Sequence, residues 1–466
     1  MIGVEIVKEE KAMKKGIMLV FVVLLFGMLM GCAGRSSGSN DPEKVNAGTG
    51  KPDDKKQADF IPEDYRQGSG MIMQTEKGYY YLANDKTGGL HYVDKLSGRD
   101  MYLCNKPECK HDGNAFCVAT NDKYRIFRCC IYNDRILASA IETTETKYLF
   151  KLISIALDGS ATEELATYFT LEQTGVTPVY FLDEWQRRLC IHRNKALIPM
   201  GATGESGLED SNFYGAAVVD LDTGKVSYLD EEPLSRENAK VTNISAYGEY
   251  LYYCRKEGKK TLLYRYHITD GTQEKHKLLV GFSGEYAVIN ENTIVYLKRD
   301  GDTLCVYDFK TGLSEEKKKL KRTIVSELLD GSTFETVAPV VAERITTDGT
   351  YLYVMPRIAG HAEKVEETGE KIIRYEKWLY VFDYNLEDVV DVDLSEKLTN
   401  VESEHSESLL QGSVQFLSYC GEDIYAVLYP GKYWDVDDYI FQCKRSDLLA
   451  GKPEFTFVYS DLYHKD

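Results

Sequence analysis

Three cysteines and one histidine lie within a single short segment of this chain. They are Cys104, Cys109, His111 and Cys117, and three thiolates with one imidazole can fill the tetrahedral shell of a zinc ion. Their spacing differs from that of common zinc fingers, and in an exported protein two of the cysteines could instead form a disulfide. A structural metal, a disulfide and free thiols therefore all stay open, and no cofactor is required. A four-ligand zinc site leaves no position open for a substrate, so we expect no catalysis there.

Aromatic and acidic side chains occur together in a second segment, which contains Tyr433, Trp434, Asp435 and Asp437. An exposed Trp beside Tyr and carboxylates can stack on a sugar ring or anchor a protein partner. These four residues are the predicted ligand-binding residues. The alternative is that Trp434 packs into the interior of its own domain.

The sequence lacks the common catalytic signatures. It contains no Gly-x-Ser-x-Gly elbow, no His-Glu-x-x-His, no phosphate-binding Gly-x-x-x-x-Gly-Lys and no EF-hand loop. A pair of carboxylates for glycoside chemistry stays open, because the 74 Asp and Glu residues offer too many candidates.

A repeated strand pattern must position these residues. In residues 241–279, apolar and aromatic side chains recur with period two between turns rich in Gly, Asp and Lys, which is typical of a β-meander. Similar four-stranded units return from Met71 onward and number about seven. They predict an all-β protein, a β-propeller of about seven four-stranded blades, with six or eight as alternatives. A stack of two β-sandwiches is the competing fold.

Aspartates recur after the third strand of several units. Asp94, Asp220 and Asp308 are each followed three residues later by Ser or Thr and then by Gly. Asp, Ser and Thr can bond nearby backbone, and Gly tolerates positive φ, so this pattern predicts tight turns rather than catalytic carboxylates.

The long insertions of the predicted propeller are one-sided. Connections between first and second strands are short, whereas long irregular segments separate second from third strands or join successive blades. In a propeller these two kinds of connection share one face, which we expect to be the binding surface. The segments are residues 201–212, 356–371 and 430–437 within blades, and 103–123, 170–177, 321–340 and 395–412 between blades.

The amino terminus has the features of an export signal. Lys14 and Lys15 precede an apolar run too short for a comfortable membrane span, and the run ends in Leu-Met-Gly-Cys at Cys32. This ending resembles the lipobox of bacterial lipoproteins, which implies lipidation of Cys32, with an ordinary cleaved signal or an uncleaved anchor as alternatives. We predict a signal peptide at residues 1–31, a flexible tether at 32–60 and the propeller at 61–466. The protein would then be extracytoplasmic, and its partner would be the bacterial cell membrane, reached through a lipid anchor.

The formal net charge of −18 restricts the other partners. Such a surface repels nucleic acids and anionic lipid headgroups, so we expect no nucleic acid partner.

The lipobox, the tether, the tyrosine-rich repeats and the Cys-x4-Cys-x-His loop together resemble a group of exported β-propeller lipoproteins from clostridial-type gut bacteria. The resemblance covers most of the mature chain and implies no particular activity. We therefore expect a non-enzymatic, surface-anchored binding domain with a protein or glycan ligand on the loop-bearing face. A carbohydrate-active hydrolase or lyase and a structural component of a cell-envelope assembly are the alternatives.

Overall fold

The computed structural model describes residues 65–67, 72–82, 89–111, 117–120, 123–173, 176–178, 189–204, 212–232, 240–257, 260–276, 281–299, 301–327, 333–339, 342–356, 360–364, 371–375, 378–394, 413–420, 422–429 and 439–460. All of them lie in one compact unit, Gln57–Asp466. The predicted signal peptide, the tether and Cys32 fall outside these residues. In the described part of the chain, no helix is long and apolar enough to cross a membrane.

Seven four-stranded antiparallel blades form a ring, which confirms the predicted propeller and its blade number. The first described strand, β1 (Tyr65–Gln67), precedes blade 1 and pairs in blade 4. Blade 1 contains β2 (Ile72–Gln74), β3 (Gly78–Leu82), β4 (Leu90–Asp94) and β5 (Asp100–Tyr102). Blade 2 contains β6 (Tyr124–Tyr132), β7 (Arg135–Thr143), β8 (Lys147–Ala156) and β9 (Thr162–Glu172).

In blade 3 the innermost position is split between two short strands that both pair with the second strand. Its strands are β10 (Val176–Pro178), β11 (Cys190–His192), β12 (Lys195–Gly204), β13 (Asn212–Asp220) and β14 (Val226–Tyr228). Blade 4 contains β15 (Val241–Tyr247), β16 (Tyr250–Glu257), β17 (Lys260–His267) and β18 (Gln273–His276). Blade 5 contains β19 (Phe282–Asn290), β20 (Thr293–Lys298), β21 (Thr303–Asp308) and β22 (Leu313–Lys319).

Two further hairpins accompany blade 6. The first, β23 (Lys321–Glu327) with β24 (Thr333–Pro339), connects blades 5 and 6. Blade 6 itself contains β25 (Ala342–Thr347), β26 (Leu352–Pro356), β29 (Trp378–Phe382) and β30 (Asp388–Asp393), and the second hairpin, β27 (Gly360–Lys364) with β28 (Lys371–Tyr375), interrupts it. Blade 7 contains β31 (Ser413–Cys420), β32 (Asp423–Tyr429), β33 (Tyr439–Lys444), the helix α1 (Arg445–Leu449) and β34 (Thr456–Ser460).

The connections define two faces of the ring. Connections between second and third strands, and between successive blades, emerge on one face, which we call the loop face. Turns between first and second strands, and between third and fourth strands, emerge on the opposite face, which we call the turn face. This assignment follows from the antiparallel order of each blade.

The core lies between neighbouring blades. In β16 four consecutive side chains, Leu251 to Cys254, are buried. Leu251 and Tyr253 pack against blade 3, whereas Tyr252 and Cys254 pack against blade 5. Because each blade is covered on both faces, its central strands are continuously apolar instead of alternating with polar residues.

Tyrosine hydroxyls bond neighbouring blades together. Tyr80 of blade 1 donates to the carbonyl oxygen of Leu157 in blade 2, at 3.0 Å, and Tyr252 of blade 4 donates to that of Glu291 in blade 5, at 2.8 Å. A tyrosine can bury its ring between two sheets and still satisfy its hydroxyl at the sheet edge. Tyrosine, of which the chain has 34, is suited to this position between blades.

These buried tyrosines predict a steep loss of stability in alkali. Burial raises the pKa values of Tyr80, Tyr168 and Tyr296 to about 12. In the unfolded chain they ionise near pH 10, so between pH 10 and 12 the unfolded state binds fewer protons than the native state. The free energy of unfolding should then fall by roughly 1 kcal/mol per pH unit for each tyrosine. Urea unfolding at pH 8, 10 and 11 measures this; a free energy unchanged from pH 10 to 11 would contradict it.

The repeated aspartates are turn residues, as predicted. Asp94 Oδ1 accepts hydrogen bonds from the amide and the hydroxyl of Ser97, at 2.8 and 2.7 Å. Asp220 and Asp308 make the same pair of bonds to Thr223 and Thr311. The glycine that follows each has φ of +67°. All three carboxylates have lowered pKa values; hydrogen bonds from the following turn lower those of Asp94 and Asp308, whereas the Lys195 side chain contributes most at Asp220.

The predicted irregular segments are partly regular. Residues 321–340 and 356–371 contain hairpin strands, and residues 201–204 extend β12. The backbone of an inserted segment still needs hydrogen-bond partners outside the blade. Two strands of the same insertion can pair with each other and provide them.

A polar network closes the ring between blades 1 and 7. Gln74 Nε2 donates to Asp423 Oδ2 at 2.8 Å, Lys444 Nζ donates to Asp423 Oδ1 at 2.5 Å, and the Tyr425 hydroxyl donates to Gln74 Oε1. Tyr79 of blade 1 stands edge-on to Tyr425 with ring centroids 6.1 Å apart. In the described sheets the two blades share no strand, and these side-chain contacts link them.

Candidate functional site

The predicted Cys/His cluster is assembled in the structure. The ligand atoms of Cys104, Cys109, His111 and Cys117 all lie within 4.8 Å of one another. A tetrahedral zinc ion with Zn–S bonds of 2.3 Å separates its ligands by about 3.8 Å, so only small shifts would bring these atoms into place. All three cysteines are free thiols in this structure. The four ligands fit zinc and would complete its shell.

Both ends of the loop that carries the cluster are tied to one strand residue. The amide of Leu103 donates to the carbonyl oxygen of Leu90 at 2.8 Å, and the amide of Leu90 donates to the carbonyl oxygen of Ala119 at 3.1 Å. Between these anchors, the amide of Cys109 bonds to the carbonyl oxygen of Lys106 at 3.1 Å and closes a turn. The backbone therefore brings the first and last cysteines together independently of any bond between their sulfurs.

Among the thiols of the cluster, Cys117 has a pKa that is lowered by its surroundings. Burial alone would raise its pKa, but hydrogen bonds from the Thr120 hydroxyl (3.3 Å), the Thr120 amide (3.4 Å) and the His111 ring (3.4 Å) outweigh burial and lower it to about 6. At Cys109 the His111 amide favours the thiolate, yet burial and the neighbouring thiols raise the pKa overall. Cys117 is thus favoured as a thiolate, which is the form that binds metal. A bound cation would offset the repulsion between this thiolate and a second one, and would thereby favour ionisation of a second cysteine.

An aromatic stack orients the histidine. The His111 ring lies 4.8 Å from the ring of Tyr102 with an interplanar angle of 29°, and Tyr102 contacts His91, whose Nδ1 lies 3.1 Å from Asp100 Oδ1. His111 has φ of +53°, the left-handed conformation that few non-glycine residues adopt. Its imidazole is consequently held in one place by packing and by an unusual backbone conformation.

The cluster lies against blade 2. A Cβ built on Gly159 would come 2.7 Å from the carbonyl oxygen of Leu103 and 3.0 Å from the amide nitrogen of Cys104, so only glycine permits this approach. Gly159 belongs to the turn between the third and fourth strands of blade 2, which is on the turn face. Cys104 therefore lies beside the turn face of blade 2, although the loop begins and ends between blades.

The loop face carries two additional hairpins, which are separated in the chain by the first two strands of blade 6. The β23–β24 hairpin precedes blade 6 and the β27–β28 hairpin lies between its second and third strands. In the described ladders, each hairpin pairs only with itself. Both hairpins therefore adjoin blade 6, on the face where we predicted the binding surface.

The predicted ligand-binding residues Tyr433, Trp434, Asp435 and Asp437 lie outside the described residues. The strands on either side, β32 and β33, are the second and third strands of blade 7. The end of β32 and the start of β33 lie at the loop face, one blade beyond the two hairpins.

Two charged residues on the innermost strands, Arg128 and Glu285, form hydrogen bonds with neighbouring blades. Arg128 of β6 donates to the carbonyl oxygen of Pro199 in blade 3 at 2.5 Å, and Asn243 of blade 4 donates to Glu285 of β19 at 3.0 Å. The innermost strands described contain two carboxylates, Glu285 on blade 5 and Glu343 on blade 6. These two positions belong to the innermost strands of adjacent blades.

No protein-family model matches the sequence, and no curated protein matches it. Among solved structures it is similar to an oligogalacturonate lyase from Vibrio parahaemolyticus, with 11% identity, 60% of this chain and 71% of that chain covered, and a TM-score of 0.33. It is also similar to a puromycin-hydrolysing peptidase from Mycobacterium tuberculosis, with 11% identity, 87% and 55% covered, and a TM-score of 0.44; the chain spans about half the length of that peptidase. A streptogramin B lyase matches with 14% identity, 63% and 91% covered, and a TM-score of 0.30. At these identities and TM-scores none of the three assigns an activity to this chain.

Proposed function

We propose that this protein is an extracytoplasmic, lipid-anchored binding protein that holds a protein ligand on its loop face without turning it over. The observation that supports this proposal is the pair of hairpins around blade 6, next to the connection that contains Trp434. A propeller closes its sheets into a ring and hides their edges, so extra paired strands on one face are not needed to close the ring.

The hairpins favour a protein ligand over a glycan. Seven-residue strands such as β23 and β24 extend about 23 Å. Their outer edges are unpaired in the described ladders, so an extended segment of a partner can add to them through backbone hydrogen bonds. Tyr433 and Trp434 would then supply the aromatic anchor that such interfaces commonly contain.

The Cys/His cluster complements this function as a structural zinc site. Cys104, Cys109, His111 and Cys117 would fill the whole coordination shell, and the ion would hold the connection between blades 1 and 2 in place. A completed shell leaves no position for substrate, which agrees with a role in binding rather than catalysis.

Affinity capture with residues 33–466 tests the proposal. The extract comes from membranes and cell wall of the source bacterium, and the variants carry either Tyr433→Ala with Trp434→Ala, or a short Gly-Asn-Gly turn in place of residues 360–375. We expect the wild type to retain one discrete protein and both variants to lose it. If glycan is retained instead, the carbohydrate-active alternative replaces the proposal, and Glu285 and Glu343 become the residues to change. Retention of the same material by all three chains would contradict the placement of the site.

A further inference from the structure

Three aromatic rings form a column across blade 1, which we call the ring ladder. Tyr81 of β3 lies opposite His91 of β4, and His91 lies opposite Tyr102 of β5, so the three side chains share one face of the sheet. The ring centroids of Tyr81 and His91 are 5.0 Å apart, and those of His91 and Tyr102 are 4.3 Å apart. Tyr81 and His91 are buried, so the ladder belongs to the packed interior of the domain.

His111 continues the ring ladder beyond the edge of the sheet. β5 is the outermost strand of blade 1, and the His111 ring lies 4.8 Å from the ring of Tyr102, where a further strand would place the next ring. His111 Nδ1 lies 3.4 Å from Cys117 Sγ, so this nitrogen faces the other ligands of the Cys/His cluster. The ladder therefore ends on a residue that we expect to bind the metal.

A carboxylate holds the other end of the ladder. Asp100 Oδ2 accepts a hydrogen bond from the Tyr81 hydroxyl, and Asp100 Oδ1 lies 3.1 Å from His91 Nδ1. These contacts fix two rings of the ladder through their polar atoms, and the third ring packs against them. Residues of three strands together therefore set the surface on which the His111 ring rests.

Close packing at Gly89 supports both Tyr102 and the loop. A Cβ built on Gly89 would lie 2.8 Å from a ring carbon of Tyr102 and 3.2 Å from the methyl carbon of Thr120. Glycine at this position lets both side chains approach the same backbone. The Thr120 hydroxyl in turn donates a hydrogen bond to Cys117 Sγ at 3.3 Å. The residues that contact the His111 ring and the Cys117 sulfur thus rest on a common support.

We propose that Tyr102 is a positioning residue for the metal, and that the ring ladder couples metal binding to the packing of blade 1. The inference rests on the zinc site of the proposed function and adds the residues that set its affinity. Tyr102 holds the His111 imidazole in its binding orientation, so less freedom is lost when the metal binds. Because coupling between two equilibria is reciprocal, bound zinc should in turn stabilise β3 and β4.

Zinc affinity, measured by competition with a chelator, tests the proposal on the full-length chain purified in detergent under reducing conditions. We expect Tyr102→Leu, which removes the ring that contacts His111, to weaken zinc binding about 10- to 100-fold. The visible spectrum of bound Co(II), which takes the place of zinc and reports ligand geometry, should change in the same variant. Removing zinc should speed hydrogen exchange in residues 79–82 and 90–94 of wild type, and this difference should shrink in Tyr102→Leu.

Two further variants separate positioning from general stability. Tyr102→Phe keeps the ring, and its zinc affinity should stay within about threefold of wild type. Tyr92→Leu truncates a neighbouring ring of β4 that lies opposite Tyr80, 4.9 Å from its ring, on the other face of the sheet. This control should destabilise blade 1 and also keep its zinc affinity within about threefold.

Unchanged zinc affinity in Tyr102→Leu would overturn the proposal, and so would equal weakening by Tyr102→Leu and Tyr92→Leu. In both cases wild type still binds zinc, so the zinc site of the proposed function stands. A wild-type chain that binds neither zinc nor Co(II) would overturn that site as well, which distinguishes the two failures.

Discussion

Replacing Cys104 with serine should release one zinc ion per chain and lower the free energy of unfolding by about 2.7–4.1 kcal/mol. This is the stabilisation that a ligand provides at 100 to 1,000 times its dissociation constant when it binds the folded chain alone. Cys104 is half-buried and its backbone contacts Gly159 of blade 2, so the loop that it holds links two blades. Metal content by inductively coupled plasma mass spectrometry and urea unfolding at fixed zinc concentration measure both effects.

The matched control is Cys130→Ser, a half-buried cysteine in a strand outside the cluster. It should keep its zinc and lose less than about 1 kcal/mol. A wild-type protein that contains no zinc and is lighter by two hydrogens under non-reducing conditions would show that a disulfide forms in the loop instead.

Replacing Asp423 with alanine should lower the free energy of unfolding by about 2–3 kcal/mol, because it removes the acceptor for the Gln74 amide and the Lys444 ammonium where blades 1 and 7 meet. Burial raises the pKa of Asp423, but hydrogen bonds from Lys444 and Gln74 outweigh it and lower the pKa below its usual value. A carboxyl whose folded pKa is depressed contributes stability above its unfolded pKa and loses it as the pH falls through the folded value. Urea unfolding of wild type between pH 7 and 3 should show this loss, and Asp423→Asn should show less of it.

The control for this position is Asp308→Ala, which removes a half-buried carboxylate at the end of β21 whose Oδ1 accepts hydrogen bonds from the neighbouring Thr311. It should cost less than about 1 kcal/mol. Equal losses in the two variants would mean that apolar packing alone closes the ring.

Local patterns predicted most of the propeller. The strands of blade 4 follow from period-two runs between turn residues, and the Asp94, Asp220 and Asp308 turns follow from the chemistry of Asp, Ser, Thr and Gly at fixed spacing. The four residues of the Cys/His cluster were found because they are close in sequence as well as in space.

Long-range contacts could not be predicted in the same way. The Tyr65–Gln67 strand pairs with a strand about 180 residues away, and its three residues carry no strand signal of their own. The Thr120 hydroxyl donates a hydrogen bond to the Cys117 sulfur and lowers its pKa, but metal-binding sequence motifs do not include this threonine. The hairpins were predicted as irregular segments, because their strands pair only locally and lie outside the repeated four-stranded units on which the prediction was based.

The most direct test of the proposed function is the affinity of the captured partner, after purification, for three forms of residues 33–466. One is wild type, one has the short turn in place of residues 360–375, and one carries Leu96→Ser on the turn face. We expect the dissociation constant to weaken at least 100-fold, about 2.7 kcal/mol, in the hairpin variant and to stay within twofold of wild type in the Leu96 variant. Weakening by the Leu96 change with no effect of the hairpin change would place the binding surface on the opposite face and contradict the proposal.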